Sequence, residues 1–194
     1  RAMTGTLILV SGPSGSGKGT LIANLKKTHP SLTYPVSATT RAPRPGEVAG
    51  QNYYFLSSAE FDQKIADGAF LEWAEFGGNR YGTLVSEILP ALEAGKTVVR
   101  EVEIQGVESI LLKLPRKNVT LIFIGVTDWE VLKARIIQRA PISEVELSLR
   151  KERFIEEMHF MKNADVVVSN DGPIDDTIKA FETAIDAIAG TVTK

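Results

Sequence analysis

Short apolar runs alternate with helical patterns along almost the whole chain. The runs, each about the length of a strand, are Thr6–Val10, Val98–Val102, Val119–Gly125 and Asp165–Ser169, with a shorter one near Thr33–Ser37. Between them the spacing predicts helices over Lys18–Lys27, Leu84–Ala94, Gln105–Leu112, Asp128–Arg139, Glu144–Asn163 and Ile174–Ala189. This alternation is the signature of an α/β fold, a mainly parallel sheet wrapped by helices. Ser57/Glu60, Thr127/Glu130 and Ser143/Glu146 have the spacing of capping boxes, in which a hydroxyl and a Glu satisfy the first free amides of a helix. Gly68 and Gly95 stand where helices should stop.

Two segments interrupt the alternation. Ser37–Phe76, rich in Arg, Tyr, Gly and Pro, reads as an inserted subdomain with short antiparallel strands. Leu132–Arg153 is charged and carries Pro141 after Arg139, which predicts a helix, a short loop and a second helix at the surface.

At 194 residues and 43% hydrophobic, the chain can bury one substantial core, so a single domain is expected. Its longest apolar stretches fall far short of the roughly 20 residues of a membrane span, and no basic-then-apolar leader opens it. The expectation is a cytoplasmic protein, with Arg1 and Ala2, ahead of Met3, an expression remnant outside the fold. The absence of Cys excludes disulfides and thiolate metal sites. A net charge of −2 supplies no general attraction to nucleic acid or membrane, so neither is an expected partner, and any bound phosphate must be held by local clusters.

One such cluster is Gly12-Pro13-Ser14-Gly15-Ser16-Gly17-Lys18, which follows an apolar strand and opens a helix. In that context glycines let backbone amides converge on phosphate oxygens, the helix start adds its positive dipole end, and Lys18 neutralises the outer phosphates. A Gly-rich strand-to-helix turn is the plainer alternative. Ser or Thr usually follows the lysine to hold magnesium; here Gly19 does, and the first hydroxyl comes at Thr20. Metal is therefore expected to be held mainly by ATP phosphates and water, with no direct protein ligand.

The next segment, Ser37-Ala38-Thr39-Thr40-Arg41-Ala42-Pro43-Arg44-Pro45-Gly46-Glu47, strongly resembles the signature of guanylate kinases. The similarity continues through Gly50-Gln51-Asn52-Tyr53-Tyr54-Phe55, Phe70-Leu71-Glu72-Trp73-Ala74, Tyr81-Gly82-Thr83 and Gln105-Gly106-Val107, and covers nearly the whole chain. The resemblance implies a three-layer P-loop nucleoside monophosphate kinase fold with an inserted GMP-binding subdomain and a helical lid. It further implies one domain over 4–190, with a core at 4–36, 84–127 and 164–190, a GMP-binding region at 37–83 and a lid at 128–163. The implied activity is ATP- and Mg2+-dependent phosphorylation of GMP, with dGMP as a second acceptor.

The chemistry of these blocks agrees with that. Arg41 and Arg44 lie three apart in a Pro-bounded loop, where two guanidinium forks can clamp one phosphate, and Tyr53 and Tyr81 can add hydroxyl donors. Taken alone, each pair also reads as solvated arginines and packed tyrosines. Guanine presents N1–H and N2–H beside the O6 acceptor, so a carboxylate plus a hydroxyl donor matches it; Glu72 and Ser37 fit, although Glu72 alone could be a strand residue facing solvent. The family's guanine contacts also imply Thr83 and Glu103.

In Arg100-Glu101-Val102-Glu103-Ile104-Gln105-Gly106 the family usually has Asp at both Glu positions. Each Glu extends its carboxylate by one methylene, so the base contact of Glu103, or a water-mediated magnesium contact of Glu101, must rearrange; two charged residues at a strand end is the alternative. Arg135 and Arg139 share a helical face, and with Arg150 they resemble the family's lid arginines, which close over ATP; singly, each reads as solvated. Ala140 stands where Gly is common. Asn170 matches a position that can contact adenine, though an Asn-Asp-Gly turn would also explain it. Lys18, Arg41, Arg135, Arg139 and Arg150 form the catalytic set, while His29 and His159 fall outside the matched blocks and are expected to be structural or solvated. The competing readings are a guanylate-kinase-like interaction module that has lost turnover, and a kinase of a phosphorylated sugar, which should lack Ser37, Glu72 and Thr83.

Overall fold

The computed structural model describes residues 2–190, so Arg1 lies outside the described residues. Its elements alternate as expected, and its contacts group into two compact units. Leu32–Arg100 and Gln105–Val119, with residues 2–7, form one unit; Ile8–Ser31, Glu101–Ile104 and residues 120–190 form the other. A four-stranded sheet takes the order β6-β1-β7-β8, from strands β1 (Thr6–Ser11), β6 (Thr97–Glu101), β7 (Val119–Gly125) and β8 (Val166–Ser169). The pairing of β7 with β8 is parallel. Leu7, Ile8, Leu9 and Val10 are completely buried, as both faces of a helix-covered sheet require.

In the first unit a second sheet has the order β3-β2-β5-β4, built from β2 (Ser37–Thr39), β3 (Tyr53–Phe55), β4 (Phe70–Phe76) and β5 (Asn79–Leu84). Two expectations are corrected here. The strand expected near Thr33–Ser37 begins only at Ser37, and Thr33 makes a single bridge to Val98. The inserted sheet is also mixed rather than antiparallel: β2 runs parallel to β3, and β5 antiparallel to both β2 and β4. Thirteen residues separate the end of β2 from the start of β3, long enough for the chain to return in the same direction.

One face of this sheet is apolar. Ala38 and Leu84 pack with Phe70 and with Phe61 of α2 (Ser58–Ala66), and the Phe61 and Phe70 rings stack at 4.4 Å. Each fully buried phenylalanine contributes roughly 1.5–3 kcal/mol. The capping box of Ser57 and Glu60 fixes the start of α2, and Gly68, at φ 66°, ends it. Leu84 closes β5, so the following helix α3 runs from Val85 to Glu93 rather than from Leu84. After α3 come β6 and α4 (Ile104–Leu111).

In the second unit β1 leads through the Gly-rich loop into α1 (Lys18–Thr28). After β7 the chain forms α5 (Trp129–Arg139), a short loop holding Pro141, and α6 (Glu144–Phe160), the expected helix, loop and helix. Val126, Leu132, Ile136 and Phe154 make their shared core. The N-cap of α5 is Asp128 rather than Thr127: the Asp128 carboxylate accepts from the Glu130 amide at 2.8 Å, while the Thr127 hydroxyl donates to Asp171 at 2.8 Å. Ser143 caps α6 by accepting from the Glu146 amide. The expected helix to Asn163 stops at Phe160 and tightens into a 3-10 turn over Met161–Asn163. In the last helix, α7 (Ile174–Ala189), Asp186 meets Nε2 of buried His29 at 2.8 Å, which ties α1 to α7 and gives His29 a structural role. Among the described residues no helix is long and apolar enough to cross a membrane.

Candidate functional site

The loop between β1 and α1 has the backbone of an anion cradle. Gly12, at φ +144°, lies so close to the Ile124 carbonyl that a Cβ would collide with it, and Gly17, at φ +98°, lies against the Asn170 amide. The Pro13 carbonyl accepts from the Ser16 amide at 3.0 Å, closing the turn. Lys18, only 5% exposed, donates its ammonium to the carbonyls of Gly12 and, at 3.0 Å, Pro13. An ammonium has three protons, so these two bonds leave one donor for an anionic oxygen. Gly19 and Thr20 are exposed on the first turn of α1.

Asn170 braces this loop. Its Nδ2 donates to the Ser16 carbonyl at 2.7 Å, its Oδ1 accepts from Thr177 at 2.9 Å, and its own carbonyl accepts from Arg135 Nη2 at 2.7 Å. Arg135 Nη1 is buried with no hydrogen-bond partner among the described residues. In a concavity of about 320 Å3, Ser14 and Gly15 of the loop face Arg135, Arg139 and Arg150. Arg150 pairs with Glu146 one helical turn away at 3.2 Å, an exposed contact of small energetic weight. A second concavity, of about 390 Å3, is lined by Gly17, Arg139, Asn170 and Gly172. Three guanidiniums on one concavity beside a loop of amide donors make a local site for polyanions in a chain of net charge −2.

In the other unit, register places four of the residues expected to bind the acceptor in a row. Tyr53 pairs with Ser37, Ser37 with Thr83, and Thr83 with Glu72, so one residue from each of β3, β2, β5 and β4 lies side by side. Directly paired residues share a face and side chains alternate along a strand, so Tyr81, two before Thr83, joins the row's face. The opposite face is the apolar one, where Phe70 lies against Gly82. Ser37 and Thr83 are buried, and the Glu72 side chain is 11% exposed. The Thr83 hydroxyl donates to Glu72 Oε1 at 2.5 Å.

Arg41 stands beside this row, 5.3 Å from the centre of the Tyr53 ring, and the Tyr81 hydroxyl also interacts with it. The Tyr53 and Tyr81 rings meet edge to face, 6.0 Å apart. Arg44 has an exposed side chain. Glu101, half-buried, ends β6; Glu103, exposed beyond it, interacts with Glu157 of α6.

A family model described as guanylate kinase matches residues 4–188. The chain belongs to the guanylate kinase family. It is 44% identical to the guanylate kinase of Trichormus variabilis over 185 residues, covering 95% of this chain and 88% of that protein. The guanylate kinase of Rubrobacter xylanophilus is 45% identical over 167 residues, 86% of each chain. Among solved structures, the guanylate kinase of Anaplasma phagocytophilum superposes with a TM-score of 0.69 at 24% identity, over 98% of this chain and 89% of that one, a likeness of fold.

Three residues of this guanylate kinase family member had no role assigned from sequence. Glu47 accepts from both terminal nitrogens of Arg41, at 2.8 and 3.0 Å. Arg100 donates from Nε to the Thr83 hydroxyl at 2.9 Å. Glu157 reaches the phosphate loop, where it accepts from the Ser14 amide near Lys18 and Glu103; burial raises its carboxyl pKa to about 6. Glu47 closes the block that resembles the family signature, and Glu157 stands two helical turns after Arg150 and so on the same face of α6.

Proposed function

We propose that this protein is a guanylate kinase, transferring the terminal phosphoryl group of ATP to GMP and releasing ADP and GDP. The observation that carries this is the row of Tyr53, Ser37, Thr83 and Glu72 across four strands, with Arg41 beside it. The row offers a carboxylate for guanine N1–H and N2–H and hydroxyls beside it, next to a guanidinium and two phenols for a phosphate. Ser37, Glu72, Thr83 and Glu103 read the base, while Arg41, Arg44, Tyr53 and Tyr81 hold the phosphate. dGMP is included as an acceptor, because these contacts fall on base and phosphate.

On the donor side, Gly12 to Thr20 cradle the ATP phosphates, Lys18 neutralises them, and Asn170 lines the adenine side. Arg135, Arg139 and Arg150 spread positive charge around the phosphoryl group in flight. Phosphoryl transfer depends mainly on positioning and charge stabilisation. A GMP phosphate oxygen is largely ionised near neutral pH, so no strong general base is required.

The donor set suits magnesium held by phosphate oxygens and water. Gly19 brings no hydroxyl directly after Lys18. Thr20 and Glu101 would reach the ion through water. When bound, the ion neutralises charge on the phosphates. We assign the activity to one domain over 4–190 in the cytoplasm, with 37–83 binding GMP and 128–163 acting as the lid.

The deciding assay follows ADP release with GMP, AMP, CMP and UMP offered separately. GMP should be the preferred acceptor by roughly 10⁴-fold, the discrimination available to a site of buried polar pairs. Equal rates with AMP would overturn the assignment.

A further inference from the structure

We propose that Arg100 is a specificity-determining residue for the acceptor base, acting through Thr83 and Glu72; the proposal rests on the GMP reading above. Arg100 lies on β6, its side chain 22% exposed, with Nε 2.9 Å from the Thr83 oxygen and Nη2 3.8 Å from Glu72 Oε1. A guanidinium donates and never accepts, so the Thr83 oxygen must accept this bond. The single hydroxyl proton of Thr83 is then turned toward Glu72, the bond the structure contains.

The chain from Arg100 through Thr83 to Glu72 therefore has one polarity, and each donor strengthens the next. Two consequences follow for a guanine. The first is that Oε1 of Glu72 is pinned, which fixes the plane in which the carboxylate can accept N1–H and N2–H together. The second is that Thr83 offers the base a lone pair and no proton, so the donor that O6 needs falls to Ser37, its neighbour across β2 and β5. Arg100 also places a cation 3.8 Å from a carboxylate only 11% exposed.

The test compares GMP with IMP, which keeps N1–H and O6 but lacks the 2-amino group, in the parent protein, Arg100→Met and Arg100→Lys. Arg100→Met keeps most of the apolar stem and removes the donors. It should raise the KM for GMP on the order of tenfold and shrink the GMP-to-IMP ratio of kcat/KM by a similar factor. The KM for ATP should stay as in the parent. Arg100→Lys restores the charge without the forked geometry and should recover part of the ratio. An Arg100→Met protein with the parent's GMP-to-IMP ratio overturns the proposal, as does one whose KM values for ATP and GMP rise together, the mark of a merely structural role. If Arg100→Met does not fold, the parent's ratio in Arg100→Lys overturns it equally. A parent protein that shows no preference for GMP over AMP defeats the kinase reading itself, whereas a GMP-selective parent with an indifferent Arg100→Met defeats this inference alone.

Discussion

Glu47 grips Arg41 end-on: its Oε1 accepts from Nη2 at 2.8 Å and its Oε2 from Nη1 at 3.0 Å, while Oε2 also accepts the Arg44 amide at 2.7 Å. One carboxylate thus fixes the Arg41 guanidinium and the backbone of Arg44. The end-on grip leaves Nε and the outer proton of Nη2 on one edge, the side-on fork that a phosphate takes. Glu47→Ala should raise the KM for GMP several-fold, on the scale of a lost orienting contact, with the KM for ATP unchanged in steady-state assays. The Arg41 pairing and the Arg44 amide hold the Glu47 carboxyl below its usual range. A lowered folded-state pKa means the pairing is intact above the ordinary carboxylate pKa and is lost only as pH falls through the lowered value. The contribution of Glu47 to GMP affinity should therefore be flat from pH 6 to 8.

Lys18→Ala removes the ammonium bound to the Gly12 and Pro13 carbonyls. Turnover should fall by about 10²-fold or more, the scale of losing one charge-stabilising donor. Calorimetry should show GMP binding preserved; loss of GMP binding would place Lys18 on the acceptor side.

Glu157 makes an opposite pH claim to that of Glu47. Burial is the largest cause raising its carboxyl pKa to about 6; Glu103 raises it further, while Lys18, Arg153 and the Ser14 amide lower it. A carboxyl raised in the folded state binds more protons there than in the unfolded chain, so stability falls as pH rises between the ordinary carboxylate pKa and about 6. Glu157→Gln keeps an acceptor for the Ser14 amide without the buried charge. Its melting temperature should exceed the parent's at pH 7.5, and the difference should disappear by about pH 4.5.

Nothing lies within 4 Å of where a Cβ on Gly19 would stand. Gly19→Ser should therefore fit without displacement, add roughly 0.5 kcal/mol to α1 through helix propensity, and supply a hydroxyl directly after Lys18. Thermal melting checks the first effect. A magnesium titration of turnover checks the second, with a lower half-saturating concentration expected.

Much of the fold was legible because its signals are local. The apolar run of β1, the glycines before Lys18, the Ser57 box and the Pro141 break each act within a few residues of where they are written. Of the expected acceptor residues, Tyr53, Ser37, Thr83 and Glu72 lie side by side; periodicity shows which residues of one strand share a face, while their meeting across strands comes from the fold. What stayed hidden depends on pairing across distance. Arg100 and Thr83 are 17 residues apart and meet only through the fold. The parallel course of β2 and β3 is decided by the segment between them, not by either strand. The cap of α5 went to Asp128 because Thr127 was drawn to Asp171, 44 residues along the chain.

The row across β3, β2, β5 and β4 also bears on how this chain can change length. The tight turn between β4 and β5 contains Gly77 and Gly78, both at positive φ. Removing one residue within β5 near that turn would bring Leu84 to the place of Thr83, and adding one would bring Gly82 there; either change turns the Thr83 hydroxyl toward the apolar cluster. Loop variation in descendants of this sequence should therefore occur in even steps or be absorbed outside the ladder, so that substrate choice and core integrity are lost or kept together.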